Sequence, residues 1–289
     1  MKSDTMVVTA GRHPEDFEGA VNTPVFRTST VVAATMAEWD RLNAPDNKKM
    51  IYGRLGTPTT RALEEAIAGA RQFPDRLVPF CCIDPRTSYR YGRKGLVSML
   101  KEYVDQGARG FGEHKVGLPI DDPKMMSVYE ACDDLKLPVL FHCDDVRGTD
   151  QAGLPGLERI LTAFPNVNFL GHGPGFWASI SGDVTTAGLG AYPTTKVTPG
   201  GALDRLFDAH KNLWGDMSAG SGANAISRDL EFGRSFLLRR ADRLLFGTDY
   251  LKPGQAVPQF ELLAGIELPA DVRAKIEREN AAALLGLSL

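Results

Sequence analysis

Three short apolar runs constrain this chain more than anything else in it: Leu140-Phe141-His142, Phe169-Leu170-Gly171-His172 and Leu245-Phe246-Gly247-Thr248-Asp249. Each reads as a buried strand, each ends in a side chain able to bind a metal, and each is followed after a loop by a helical pattern. Parallel strands need long, usually helical crossovers, so strands alternating with helices predict a parallel sheet. Such a sheet aligns the C-terminal ends of its strands on one rim, where ligands and catalytic groups collect. Two imidazoles and a carboxylate on that rim predict a metal-dependent hydrolytic centre.

The alternation runs from about residue 76 to the end. Leu77–Ile83 is interrupted by Pro79, which cannot donate to a ladder, so this strand lies at an edge or begins after residue 79. Leu96, Met99, Leu100 and Tyr103 then recur at helical spacing, and Ala108–His114 is the next strand. Asp122-Pro123 predicts a helix start, with Asp as N-cap, Pro at the first helical position and Met125, Val128, Tyr129 and Cys132 as the apolar stripe. Further strands are expected at Pro138–Cys143, Val167–His172, Leu213–Ser218 and Arg243–Asp249. Helices are expected at Leu157–Phe164, Gly201–His210, Arg228–Arg239 and over Ala270–Leu285. That makes about six βα units where a closed (β/α)8 barrel has eight. The predicted fold is therefore α/β, an incomplete TIM-type barrel over residues 71–289. Residues 1–70 differ: they are rich in Thr, Ala and Pro, lack the alternation, and form an irregular arm with one helix, Thr60–Ala70.

Composition excludes several classes. A net charge of −3 offers no basic field for nucleic acid. Apolar runs fall short of the roughly 20 residues that cross a bilayer, and the first residues lack the apolar core of a secretory signal. These features predict a cytoplasmic protein acting on a small-molecule substrate. Cys81, Cys82, Cys132 and Cys143 include no Cys-x-x-Cys pair, so reduced thiols are expected rather than a zinc knuckle or disulfide framework. Gly220-Ser221-Gly222 is too short for a phosphate-cradling loop.

Gly112-Glu113-His114-Lys115, Leu140-Phe141-His142, Gly171-His172-Gly173-Pro174-Gly175-Phe176-Trp177, Gly215-Asp216-Met217-Ser218 and Phe246-Gly247-Thr248-Asp249-Tyr250 together resemble the amidohydrolase superfamily. The similarity is to its amidohydrolase-related branch of metal-dependent hydrolases and non-oxidative decarboxylases. It implies a distorted (β/α)8 barrel with one or two divalent metals on the C-terminal rim. The motifs fall at the ends of what would be strands 4 to 8. In that family strand 1 carries a His-x-His pair of ligands. Here the histidines are His13, His114, His142, His172 and His210, and no two are so spaced.

The first 70 residues resemble something else. Ala10-Gly11-Arg12, Gly19-Ala20-Val21-Asn22-Thr23-Pro24-Val25, Ser29-Thr30 and Tyr52-Gly53-Arg54-Leu55-Gly56-Thr57-Pro58-Thr59 are similar to the N-terminal arm of cystathionine β-lyase-like pyridoxal-phosphate enzymes. That similarity implies that Tyr52 and Arg54 approach a cofactor phosphate in a neighbouring subunit. The family's Schiff-base lysine has no matched position, and Lys196 reads as a loop lysine. No pyridoxal phosphate is expected, and Tyr52 and Arg54 read as a solvated pair. The chain looks like a junction of two gene pieces, with the arm standing where the first two barrel strands belong.

A mononuclear hydrolytic zinc wants about three protein ligands and one open position. The resemblance assigns His142 and Asp249 as ligands and makes His172 a ligand or catalytic histidine. Asp249 could take a proton from water and pass it to the leaving group. Glu113 and Lys115 share a strand face, so Glu113 could ligate directly or Lys115 after carbamylation; an acid–base pair at the barrel mouth is the other reading. His114 then points outward unless a bulge reverses the face. Asp216 is placed to orient His172. The glycines around His172 permit either close ligand approach or a tight strand exit. Phe176 and Trp177 line a substrate pocket or belong to the core. The leading expectation is a metal-dependent hydrolase of a C–N or C–O bond, with zinc as the divalent metal. A non-oxidative decarboxylase, or a fusion remnant whose exposed sheet edges drive self-association, remains open.

Overall fold

The computed structural model describes residues 14–16, 18, 33–42, 69, 72–73, 76–250 and 254–288. The chain divides into two compact units, Met1–Pro79 and Phe80–Leu289. Within the first, a helix at Met36–Leu42 was not expected. Its start is capped reciprocally: the Glu38 N–H donates to Thr35 Oγ1 at 3.1 Å, and the Ala34 N–H donates to Glu38 Oε2 at 2.8 Å. The helix expected at Thr60–Ala70 lies outside the described residues except for Gly69, which is helical. Tyr52 and Arg54 lie outside them too.

The second unit is built on a parallel sheet of six strands among the described residues: β1 (Phe80–Cys81), β2 (Gly110–His114), β3 (Val139–His142), β4 (Phe169–His172), β5 (Leu213–Asp216) and β6 (Leu244–Leu245). They pair in sequence order, so β1 and β6 are the edges. Pro79 explains why β1 begins at Phe80 and sits at an edge. A two-stranded parallel ribbon, Leu118–Pro119 with Gly148–Thr149, lies apart from the main sheet.

The strands are shorter than their apolar runs. Beyond β6 the Phe246 N–H bonds Ile276 O at 2.8 Å rather than a strand neighbour, so the expected Arg243–Asp249 strand ends early. Helices form close to expectation at Gly92–Asp105, Pro123–Leu135, Pro155–Ala163, Ala202–Ala209 and Leu230–Arg240. Asp122 caps its helix as read from the sequence, accepting the Lys124 N–H at 2.8 Å. A further helix, Ala219–Ser227, was missed because Gly220-Ser221-Gly222 reads as loop. A Cβ at Gly222 would collide with the Met217 carbonyl, so the small residues let this helix sit close to β5. Among the described residues no helix is long and apolar enough to cross a membrane.

Residues on the outer face of the sheet pack against the helices. Phe111, Val139, Phe141, Phe169 and Leu213 are fully buried, and Tyr129 meets Phe169 edge-on at 5.3 Å. Buried polar groups stitch the layers. Arg240, 8% exposed, bonds Asp204 Oδ1 at 2.8 Å and Asp208 Oδ1, tying two helices together. The Asn212 Nδ2 group points at three carbonyls that end a helix and start a strand: Leu161 at 3.2 Å, Phe164 at 3.0 Å and Val167 at 3.2 Å. Asn212→Ala would remove this donor from all three carbonyls, the Phe164 carbonyl keeping only the Val167 N–H at 3.1 Å, and should cost about 2 kcal/mol. A lowered urea midpoint at unchanged slope is the expected outcome; an unshifted midpoint would show the network to be dispensable.

Candidate metal centre

The site follows from register. β3 and β4 pair in parallel with His142 opposite His172, so the two imidazoles leave neighbouring strands on one face. Their ring centroids are 5.4 Å apart. β2 reaches the same place through an irregularity. Phe111 is opposite Val139 and His114 is opposite Phe141, so β2 spends one residue more than β3 over that stretch. This bulge puts Phe111 and His114 both on the outer face, leaving Glu113 on the inner one. His114 is therefore buried against Phe111 and Tyr129. Burial pushes its pKa down to about 4, which keeps it neutral. A Cβ at Gly112, which has φ 119°, would run into the Leu140 carbonyl, so the bulge needs glycine there.

Glu113, His142 and His172 each bring one ligand atom into a group whose members all lie within 4.8 Å of one another. Glu113 Oε1 is 2.7 Å from His142 Nδ1 and 3.5 Å from His172 Nε2. The remaining ring nitrogens are held by carboxylates: His142 Nε2 is 3.0 Å from Asp144 Oδ2, and His172 Nδ1 is 3.0 Å from Asp216 Oδ2. Ser218 Oγ donates to Asp216 Oδ2 at 2.7 Å and lies 3.0 Å from His172 Nδ1. The first carboxylate is itself fixed, because Asp144 Oδ1 accepts the N–H groups of Val146, at 2.8 Å, and Arg147. Its other oxygen takes Arg147 Nη1 at 2.7 Å. Of these partners Asp216 was expected, whereas Asp144 and Ser218 were not; the i+2 spacing in His142-Cys143-Asp144 and Asp216-Met217-Ser218 was the available signal.

Electrostatics match this geometry. Burial raises the carboxyl of Glu113, but the hydrogen bonds of His142 and Lys115 and the charge of His172 outweigh it and bring the pKa down to about 2. Asp144 is likewise held at about 2, burial being overcome by the Arg147 and Val146 N–H groups. Burial disfavours charge on His172, yet the Asp216 hydrogen bond, with the charges of Asp216, Glu113 and Asp249, lifts its pKa above the ordinary value. Two imidazoles each lie between an inner and an outer carboxylate. Each can donate to both only as an imidazolium. If the outer carboxylate keeps the single N–H, the inner nitrogens and Glu113 Oε1 present lone pairs to one point. Carboxylate-backed imidazoles and a carboxylate oxygen are a donor set that fits a divalent transition ion.

Asp249 lies outside the three-residue group, although its charge reaches His172. It adopts φ 49°, a left-handed conformation uncommon for a residue other than glycine, and its carbonyl accepts Gln255 Nε2 at 2.7 Å. Lys115 Nζ forms an ion pair with Glu113 Oε2 at 2.8 Å, the acid–base pair at the mouth. The aromatic residues do not line a solvent-facing wall. Phe176 and Trp177 are 0% and 1% exposed and belong to the core, because the short helix Pro174–Ala178 turns them under the sheet's end. Trp177 Nε1 donates to the Asp216 carbonyl at 2.8 Å. The glycines around His172 serve packing: a Cβ at Gly171 would meet the Phe176 ring, and one at Gly173 would stand 3.0 Å from the His142 ring.

The model of a family described as amidohydrolase matches residues 52–287, more than half of the chain. The chain belongs to the amidohydrolase family. Solved structures share the fold. An uncharacterized TIM-barrel protein from Bordetella bronchiseptica superposes with TM-score 0.53 at 21% identity, covering 76% of this chain and 70% of that one. A protein provisionally named 2-pyrone-4,6-dicarboxylic acid hydrolase, from Pseudomonas putida, gives TM-score 0.53 at 16% identity, with 77% of each chain covered. One similarly named from Acinetobacter baumannii gives 0.51 at 13%, with 78% of each covered. Residues 4–74 match a second family, described as Cys/Met metabolism PLP-dependent enzyme. An L-alanine/L-glutamate racemase of Wolbachia pipientis wMel is 31% identical over 80 residues, 24% of this chain and 19% of the racemase, so the chain spans about a fifth of that relative.

In this amidohydrolase the outer carboxylates should govern ion affinity. Asp144→Asn and Asp216→Asn should each weaken divalent-metal binding about 10–100-fold, read by competition with a chromophoric chelator. Unchanged affinity in both would mean that the imidazoles are not oriented as described.

Proposed function

We propose that the unit Phe80–Leu289 is a zinc-dependent hydrolase that cleaves a C–N or C–O bond at the carbonyl carbon of a small molecule. The observation that carries this reading is the convergence of Glu113 Oε1, His142 Nδ1 and His172 Nε2 on one point of the rim. Three protein ligands leave a tetrahedral zinc one open position, so the missing His-x-His need not prevent binding. When bound, the ion would lower the pKa of a coordinated water and polarise the substrate carbonyl. Glu113, His142 and His172 would hold it, with Asp144 and Asp216 fixing the ring orientations.

The remaining residues divide the proton and charge work. We assign Asp249 as the group that accepts a proton on its carboxylate and returns it to the leaving nitrogen or oxygen. Its left-handed backbone supports this role, since strained conformations gather at functional sites. Lys115 is 42% exposed at its side chain and reaches over Glu113, placing a positive charge at the entrance where a substrate carboxylate or carbonyl would sit. We also read residues 1–70 as a segment of separate origin, which the match over residues 4–74 supports. No pyridoxal-phosphate reaction is proposed, because that resemblance ends without a position for the Schiff-base lysine.

Three measurements test this. Zinc analysis should find about one ion per chain, lost in both His142→Ala and His172→Ala; metal retained in either variant would overturn the site. Asp249→Asn should keep the ion while turnover falls by a factor on the order of 10²–10⁴. Loss of the ion in that variant would make Asp249 a ligand instead. A panel of amides, esters and lactones, with carbon dioxide monitored alongside, should show hydrolysis that chelation abolishes and zinc restores. Carbon dioxide release without hydrolysis would replace this reading by decarboxylation.

A further inference from the structure

A second polar site lies at the far end of the helix Ala219–Ser227. Arg228 caps that helix, its own N–H donating to the Asn224 carbonyl at 3.1 Å. The guanidinium is tethered on one side only, Nη1 donating to the Thr195 carbonyl at 3.3 Å. Nε and Nη2 are buried and have no hydrogen-bond partner. These two nitrogens form the edge of the guanidinium whose N–H groups run parallel, the edge that grips a carboxylate in bidentate fashion. Arg228 lines a cavity of about 210 Å³, whose other walls include the apolar Ala178, Val184, Ala191 and Pro193 and the polar Ser181 and Asp183.

The surroundings hold the cavity open rather than satisfying the arginine. The loop over it is pinned to the helix and to itself. Asn224 Nδ2 donates to the Pro193 carbonyl at 3.0 Å, the Val197 N–H to Asp229 Oδ2 at 3.3 Å, and the Thr198 N–H to Ser181 Oγ at 2.8 Å. Two carboxylates stand nearby, Asp183 in the cavity wall itself, and neither hydrogen-bonds Arg228 Nε or Nη2. Asp183 Oδ1 accepts from Ser181 Oγ, and Asp229 Oδ1 accepts the Phe232 N–H at 3.3 Å. Burial disfavours the charge of Arg228, and the charges of Asp183 and Asp229 offset it only in part, so its pKa stays below the ordinary value. Buried donors without acceptors are costly, of order 1–3 kcal/mol each. An acceptor brought by a ligand removes that cost.

We propose that this cavity binds a small aliphatic carboxylate, gripped side-on by Arg228 Nε and Nη2 with its chain against Ala178, Val184 and Pro193. The site is separate from the metal centre. The nine-residue helix Ala219–Ser227 separates Ser218, beside His172, from Arg228, and ten steps of about 1.5 Å put their backbones roughly 15 Å apart. A short carboxylate held at Arg228 does not span that gap. The proposal therefore stands whether or not the hydrolase reading does.

The test is a titration of the whole chain with propionate, followed by ligand-observed NMR, with inorganic phosphate as the comparison anion. Saturable propionate binding is expected, persisting in His142→Ala, which removes the competing metal centre. Arg228→Lys keeps the charge but loses the parallel donors, and should weaken propionate at least tenfold; Arg228→Gln, also checked for fold by circular dichroism, should do the same. Propionate affinity that is unchanged in a folded Arg228→Lys chain overturns the proposal. So does loss of binding in His142→Ala, which would place the anion at the metal centre. Saturable binding of phosphate but not propionate overturns the carboxylate assignment.

Discussion

The pairing of His142 with His172 across β3 and β4 is the constraint on which the rest of the site depends. In a parallel sheet the side-chain period is two, so a slip of one residue in either strand would turn its imidazole into the helical layer. What prevents the slip is the outer face. Phe141 and Phe169 are fully buried there, and a slip would take them out of the apolar layer and put imidazole, with its ring nitrogens to satisfy, in their place. The hydrophobic effect thus sets a chemical geometry. Glu113 joins the pair only because the β2 bulge spends one extra residue, which lets Phe111 and His114 both stay buried.

From those strands the order spreads outward through polar groups anchored in the core. Trp177 shows the connection most directly. Its ring packs with Phe176 and Phe236, and its indole N–H holds the Asp216 carbonyl. Asp216 in turn orients His172. An aromatic residue that touches no solvent therefore helps to aim a ring nitrogen at the rim. Asp144 is positioned by a different device, a tight turn in which two successive N–H groups converge on one carboxylate oxygen. Both devices hold their carboxylates by backbone or core contacts, which suits a candidate metal site, because ligands that must be ordered on binding lose affinity to conformational entropy.

Membership of the amidohydrolase family and the absence of a His-x-His pair can both hold because the candidate ligands come from separate strands. Each strand end delivers its side chain independently, so a sequence without His-x-His still brings Glu113, His142 and His172 together from β2, β3 and β4. Three candidate ligands match in number what the proposed zinc with an open position needs. The segment matching Cys/Met-metabolism enzymes at residues 4–74 overlaps the amidohydrolase match over residues 52–74, so the two resemblances meet in the stretch just before the first strand of the sheet.

Local sequence determined a good deal. Apolar runs ending in His142 and His172 marked the strands and the rim, Pro79 marked the edge, Asp122-Pro123 marked a helix start, and the order of motifs marked the family. Those features are local because propensity, capping and periodicity act over a few residues. Tertiary structure decided the rest. It drew Glu113 together with His142 and His172 in one tight group, put Phe176 and Trp177 into the core, turned Gly220-Ser221-Gly222 into a helix, and recruited Asp144 and Ser218. Each of these outcomes depends on which atoms approach from distant parts of the chain, and close packing and carboxylate–imidazole contacts fall off within a few ångströms, a distance that sequence separation does not measure.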